Sequence, residues 1–128
     1  MKTRTLFISG SVFMALAVGF GAFGAHMVQD RLTPERFDVY QTAVQYHFYH
    51  ALGLLIVGTV SLWMKESVWL KRSGYFLTAG ILIFSGSLYL LTLTDTGWLG
   101  IITPVGGFAF ILGWLFFAVA IIKQQDSH

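Results

Sequence analysis

Four apolar runs, each close to 20 residues long, constrain the fold of this chain more than any other feature. A helix needs roughly 20 apolar residues to cross the hydrocarbon core of a bilayer. The runs cover about residues 6–28, 43–64, 74–93 and 103–122, and together they occupy most of the 128 residues. We therefore expect a single membrane domain over residues 1–128, with no separate soluble domain.

The composition excludes an ordinary soluble protein. Charged residues make up only 11% of the chain and hydrophobic residues 55%, whereas a soluble domain carries roughly 25% charged residues. The predicted fold class is all-α: an integral membrane bundle of four transmembrane helices, with the lipid bilayer as its partner. The first run also resembles a signal peptide, because Lys2 and Arg4 precede it and small residues end it, but its length favours a span.

The distribution of Lys and Arg predicts the orientation in the membrane. Short cytoplasmic connections carry an excess of these residues. With the N-terminus inside, six basic residues are cytoplasmic and two are outside: Lys2, Arg4, Lys65, Lys71, Arg72 and Lys123 against Arg31 and Arg36. Both termini are therefore expected in the cytoplasm. These anchors also account for the pI near 9.1, so we predict no nucleic-acid partner.

The second helix has a clear start signal at Thr33-Pro34. Threonine caps exposed N–H groups, and proline suits the first helical position. No breaker follows before Met64, so a continuous helix would be about 46 Å long at 1.5 Å per residue. That length exceeds the hydrocarbon thickness of roughly 30 Å, and we expect the first turns to project from it.

Small residues predict where helices approach each other closely. Ala17, Gly21 and Ala25 are four residues apart and form one stripe on the first helix, which allows another backbone to come near. Gly86 and the pair Gly106-Gly107 are predicted to do the same in the third and fourth helices. Such faces serve either packing within the chain or a homo-oligomer.

Three histidines mark the candidate functional region. His26, His47 and His50 lie where the first two apolar runs meet a short polar connection, toward the outer face. Ionisable groups are costly in membrane segments and usually face protein or water. His47 and His50 are three residues apart and share a helix face. Further members of the predicted polar cluster are Gln45, Tyr46, Tyr49, Ser85, Ser87 and Tyr89.

Three interpretations of this cluster stay open. The histidines brace the helices through hydrogen bonds, or they bind a metal, a haem or a small ligand as imidazoles often do. In the third, they belong to a proton or solute path in a small oligomeric channel or transporter. We favour bracing. The sequence predicts no catalytic residue and is more consistent with a non-enzyme, and it does not indicate which cofactor, if any, the protein binds. The fourth histidine, His128, is predicted to be solvated.

Several segments resemble one known family. They are residues 21–26, 33–37, 40–54, 85–89 and 102–107, which lie in order along nearly the whole chain. They are similar to the YgdD/YwdK family, which has a domain of unknown function. The resemblance implies a four-helix protein of the bacterial inner membrane. It implies no activity, substrate or catalytic residue.

Overall fold

The computed structural model describes residues 1–126, and these residues form an all-α chain, as predicted. His128 lies outside the described residues. Four long helices follow one another with short connections: α1 (Thr3–Val28), α2 (Pro34–Ser61), α3 (Val68–Thr94) and α4 (Thr103–Asp126), with a short 3-10 helix, Gly97–Ile101, before α4.

Two of the helices contain a wider, π-helical turn. In α1 it covers Gly19–Gly24, and in α3 it covers Ile81–Ser85. A π-helical turn lets backbone carbonyls depart from the regular hydrogen-bond ladder, and such turns are frequent at functional sites. Both turns lie beside the half of α2 that contains His47 and His50. The Phe20 carbonyl of the first turn accepts a hydrogen bond from Tyr40, and Ser85 of the second turn donates one to the Ala43 carbonyl.

The start of α2 is confirmed. The Thr33 hydroxyl oxygen accepts a hydrogen bond from the Arg36 N–H at 3.2 Å, and Pro34 is the first helical residue. The helix ends at Ser61 rather than Met64, where the Ser61 hydroxyl donates to the Gly58 carbonyl. Its 28 residues give a length of about 42 Å.

Three helical stretches in the described part of the chain are long and apolar enough to cross a membrane: Thr3–Val28, Val68–Thr94 and Gly97–Gln124. The helix α2 is not among them. Its first half carries charged, amide and imidazole side chains between Glu35 and His50, which lower its apolar content.

The helices pack in chain order: α1 against α2, α2 against α3, and α3 against α4. Neighbours run antiparallel, because Thr3 bonds Ser61 at one end of the α1–α2 pair while Phe20 bonds Tyr40 toward the other. One apolar core joins all four helices through fully or almost fully buried side chains, among them Leu6, Leu54, Leu77 and Phe110.

The stripe of small residues on α1 faces α2. Ala17 is completely buried. A Cβ added at Gly21 would come within 2.9 Å of the Val44 side chain, and Ala25 packs against the buried cluster around Tyr40. The described contacts of this stripe are thus made within the chain.

The glycines of α3 and α4 differ from one another. A Cβ at Gly106 would overlap the backbone of Phe84, whereas one at Gly107 would only touch the Phe84 ring at 3.9 Å. A Cβ at Gly86 would meet no atom within 4 Å, so Gly86 makes no close helix contact, contrary to its predicted packing role. The π-helical turn Ile81–Ser85 precedes it directly and rotates later residues away from the face that a 3.6-residue period assigns.

Candidate functional site

His47 lies inside the protein and forms a hydrogen bond with a residue of another helix. Its side chain is only 3% exposed, and Nδ1 lies 2.9 Å from the Tyr89 hydroxyl of α3. Phe13 and Phe20 of α1 flank the ring. Nε2 is buried and has no hydrogen-bond partner among the described residues. The tautomer that suits these neighbours accepts the Tyr89 proton at Nδ1 and carries hydrogen on Nε2.

Two tyrosines complete a cluster where α1, α2 and α3 meet. Tyr40 is 1% exposed, and its hydroxyl donates to the Phe20 carbonyl at 2.7 Å. Phe20 stacks on Tyr89 with ring centres 4.4 Å apart, and the Tyr40 and Tyr89 rings lie 5.5 Å apart. We call Phe20, Tyr40, His47 and Tyr89 the brace. Its members come from three helices, so it fixes their relative positions.

Serine hydroxyls add two further links between helices. Ser85 of α3 donates to the Ala43 carbonyl of α2 at 2.8 Å. The hydroxyl groups of Ser87 in α3 and Thr103 in α4 form a hydrogen bond with an O···O distance of 2.6 Å, and both residues are buried. Hydrogen bonds of this kind across helices stabilise packing in a membrane, where water offers no alternative partner.

His50 faces a different set of neighbours. Its Nδ1 donates to the Tyr46 carbonyl at 2.7 Å, and its ring stacks on Phe110 of α4 with centres 3.5 Å apart. Because Nδ1 donates, the neutral ring keeps Nε2 as a hydrogen-bond acceptor. His50 lines a cleft of about 430 Å³ whose other walls are mainly aromatic. Those side chains are Tyr46, Phe84, Phe108, Phe110 and Trp114.

The three histidines do not come together. His26 is exposed on α1, His47 faces α1 and α3, and His50 faces α4. No group of three His, Cys, Asp or Glu residues within the described chain is placed to hold a metal ion. A single site built from all three histidines is therefore wrong. The i,i+3 spacing puts His47 and His50 on one side of α2, but the angle between them is large enough to direct them to different helices.

The other predicted residues divide between inside and outside. Gln45, Tyr46 and Tyr49 are exposed, and Tyr46 contributes its carbonyl and ring to the surroundings of His50. The side chains of Ser85, Ser87 and Tyr89 are buried and bonded, as described above.

Aromatic residues that frame the histidines escaped the sequence analysis. Phe20 supplies a carbonyl and a stacked ring to the brace, and Phe110 stacks on His50. With twelve phenylalanines in the chain, no single one stands out as more than a packing residue. The spacing of Phe110 and Trp114, which puts both on one face of α4, was the signal available.

An ion pair lies at the end of the bundle nearer to the brace, where α1 connects to α2 and α3 connects to α4. Arg36 Nη2 lies 3.3 Å from Asp95 Oδ1, which joins the start of α2 to the segment after α3. Both side chains have access to solvent, and such pairs contribute roughly 0–1 kcal/mol.

Comparison with known proteins places the chain in a family. Residues 20–107 match the model of a family described as "Protein of unknown function (DUF423)". The chain is 42% identical over 120 residues to the UPF0382 membrane protein YwdK of Bacillus subtilis, covering 94% of this chain and 98% of that protein. It is 42% identical over 120 residues to a UPF0382 membrane protein of Staphylococcus epidermidis, with 94% and 97% covered. No solved structure matches. The resemblance to the YwdK family is thus confirmed, and the chain belongs to the DUF423 family of membrane proteins, whose function is unknown.

Proposed function

We propose that the protein spans the bacterial inner membrane four times, with both termini in the cytoplasm, as a helical bundle with a structural or accessory role. The three long apolar helical stretches are three of these spans, and α2 is the additional one. It packs between α1 and α3, and its buried residues extend from Tyr40 to Gly58. A helix enclosed in this way can carry polar side chains, because they face protein rather than lipid.

The observation that carries the structural role is the brace. Its bonds link α2 to α1 through Tyr40 and Phe20, and to α3 through His47 and Tyr89. Three helices held at one point keep a fixed geometry, which a scaffold or accessory subunit needs. The test is whether His47 and Tyr89 are energetically coupled in unfolding measurements, with an expected coupling of about 1 kcal/mol. A homo-oligomeric channel or transporter stays a prediction that these bonds do not address.

The orientation is tested by single cysteines, which label uniquely because the chain contains none. We expect Gln29→Cys to react with a membrane-impermeant maleimide in intact spheroplasts. Glu66→Cys is expected to react only after permeabilisation, because six of the eight Lys and Arg residues lie on its side of the membrane in this topology. Neither substitution alters the Lys and Arg count that sets orientation.

The two labelling results together decide the span count as well. Gln29 lies between α1 and α2, and Glu66 between α2 and α3. If both cysteines react from outside, α2 does not cross the membrane and the four-span proposal fails. If only Glu66→Cys reacts in intact spheroplasts, the orientation is opposite to the proposed one, with both termini outside.

A second candidate function is binding of a small ligand in the cleft beside His50. This keeps the ligand-binding alternative but replaces three histidines with one. The aromatic walls suit a planar ring, and Nε2 of His50 is the acceptor for a ligand hydroxyl. The ligand class that fits is a membrane-soluble phenol or hydroquinone.

Binding in the cleft is measured through the fluorescence of Trp114, one of its walls. Hydroquinone is expected to quench part of the tryptophan emission saturably, and His50→Phe is expected to weaken the affinity about tenfold, the cost of one lost hydrogen bond. 1,4-Dimethoxybenzene is the matched control ligand, because it keeps the ring but has no donor. Equal quenching by both ligands, or an unchanged affinity in His50→Phe, would contradict the proposal.

A further inference from the structure

A cavity of about 290 Å³ lies at the opposite end of the molecule from the brace. It opens where α1 begins and where α2 connects to α3. Three lysines and three hydroxyl side chains line it: Lys2, Lys65, Lys71, Thr3, Ser61 and Ser67. The lysines and the Ser67 hydroxyl have hydrogens to donate. Ser61 already donates to the Gly58 carbonyl and Thr3 to Ser61, so these two hydroxyls offer a ligand no free donor.

The charge around this cavity is strongly positive. Glu66 is the single carboxylate among its described lining residues. It pairs with Lys71, and this lysine lowers the pKa of Glu66. Lys2 and Lys65 are exposed and have no ion pair with another described residue. Among the described residues, Lys2 and Lys65 therefore border the cavity without an ion-pair partner, and they attract an anion.

The surroundings place the cavity at the depth of lipid headgroups. Trp63 is 84% exposed on the connection between α2 and α3, and Leu62 beside it is also exposed. Trp69 follows in the first turn of α3. Tryptophan is enriched at the membrane–water interface, and exposed apolar residues next to the cavity offer contacts to acyl chains.

We propose that this cavity binds the phosphate of an anionic phospholipid headgroup. Lys2 and Lys65 supply the charge, the Ser67 hydroxyl supplies a further donor, and Leu62 and Trp63 favour a lipid over a free phosphate ion. Basic pockets between transmembrane helices bind anionic headgroups in this manner. The proposal depends neither on the brace nor on the cleft beside His50.

The test is native mass spectrometry of the full chain with phosphatidylglycerol and with phosphatidylcholine of identical acyl chains. We expect one phosphatidylglycerol to be retained in preference to phosphatidylcholine. The double variant Lys2→Gln/Lys65→Gln is expected to lose about fivefold in phosphatidylglycerol affinity for each lysine, the factor that corresponds to about 1 kcal/mol per basic residue near the membrane surface. Lys2→Arg/Lys65→Arg is expected to retain binding.

The matched control is Arg4→Gln/Arg72→Gln. It removes two positive charges from the same end of the molecule but from outside the cavity lining, and its affinity is expected to fall by clearly less than that of Lys2→Gln/Lys65→Gln, because neither arginine contacts the bound phosphate. An equal loss in both double variants would overturn the proposal, because the attraction would then be diffuse. Equal retention of phosphatidylcholine would overturn it as well. Displacement of the lipid by millimolar inorganic phosphate would assign the cavity to a soluble anion instead.

Discussion

Replacing Gly106 by alanine is expected to destabilise the protein by roughly 3 kcal/mol, the upper end of the range for an overpacked site. The added Cβ would overlap the backbone nitrogen and Cα of Phe84. A flexible side chain could move away, but the backbone of α3 can only give way if the two helices separate. The separation would also strain the nearby bond between Ser87 and Thr103. The measurement is the free energy of unfolding in mixed micelles, followed by circular dichroism.

Gly86→Ala is the control for this prediction. Both glycines lie in the helical part of the α3–α4 pair, so both gain helix propensity on substitution, worth up to about 1 kcal/mol. At Gly86 no atom lies within 4 Å of the new Cβ, and the substitution is expected to be neutral or slightly stabilising. If the two variants lose equal stability, close approach at Gly106 is not what holds α3 to α4.

The contrast between these glycines shows how far the sequence reaches. The number of long helices, the start of α2 and the close contacts of Gly21 and Gly106 follow from apolar length, a capping residue and small side chains, which act locally. The role of Gly86 does not follow, because the π-helical turn before it changes which face it occupies. Each π-helical turn makes a hydrogen bond with α2, at Phe20 and at Ser85, and such contacts are set by tertiary packing rather than by local sequence.

The histidines show the same limit at the candidate site. Sequence spacing puts His47 and His50 on one side of α2, but it cannot say which neighbouring helix each ring meets. The divergence of the two rings comes from tertiary packing: Phe13, Phe20 and Tyr89 surround His47, whereas Phe110 stacks on His50. A metal or haem site needs convergence, and only the packed helices decide that.

The variant Tyr89→Phe is expected to lower the free energy of unfolding by about 1–2 kcal/mol, because it leaves a buried acceptor without its donor. His47 Nδ1 would lose the Tyr89 hydroxyl at 2.9 Å, while Nε2 already has no hydrogen bond of normal geometry. Both ring nitrogens would then be unsatisfied inside the protein. Tyr75→Phe is the matched control, since Tyr75 lies on the same helix, is exposed, and loses the same hydroxyl. It should change stability by less than about 0.5 kcal/mol.

The double variant His47→Leu/Tyr89→Phe separates bracing from simple loss of packing. Replacing both partners by apolar groups removes the unsatisfied nitrogens together with the bond, and such a pair can be nearly neutral. We therefore expect the double variant to be more stable than Tyr89→Phe alone, with a coupling of about 1 kcal/mol, within the range for hydrogen bonds between membrane helices. Additive losses would mean that the two side chains contribute independently, and the brace would then be an aromatic contact between α1, α2 and α3 rather than a hydrogen-bonded one.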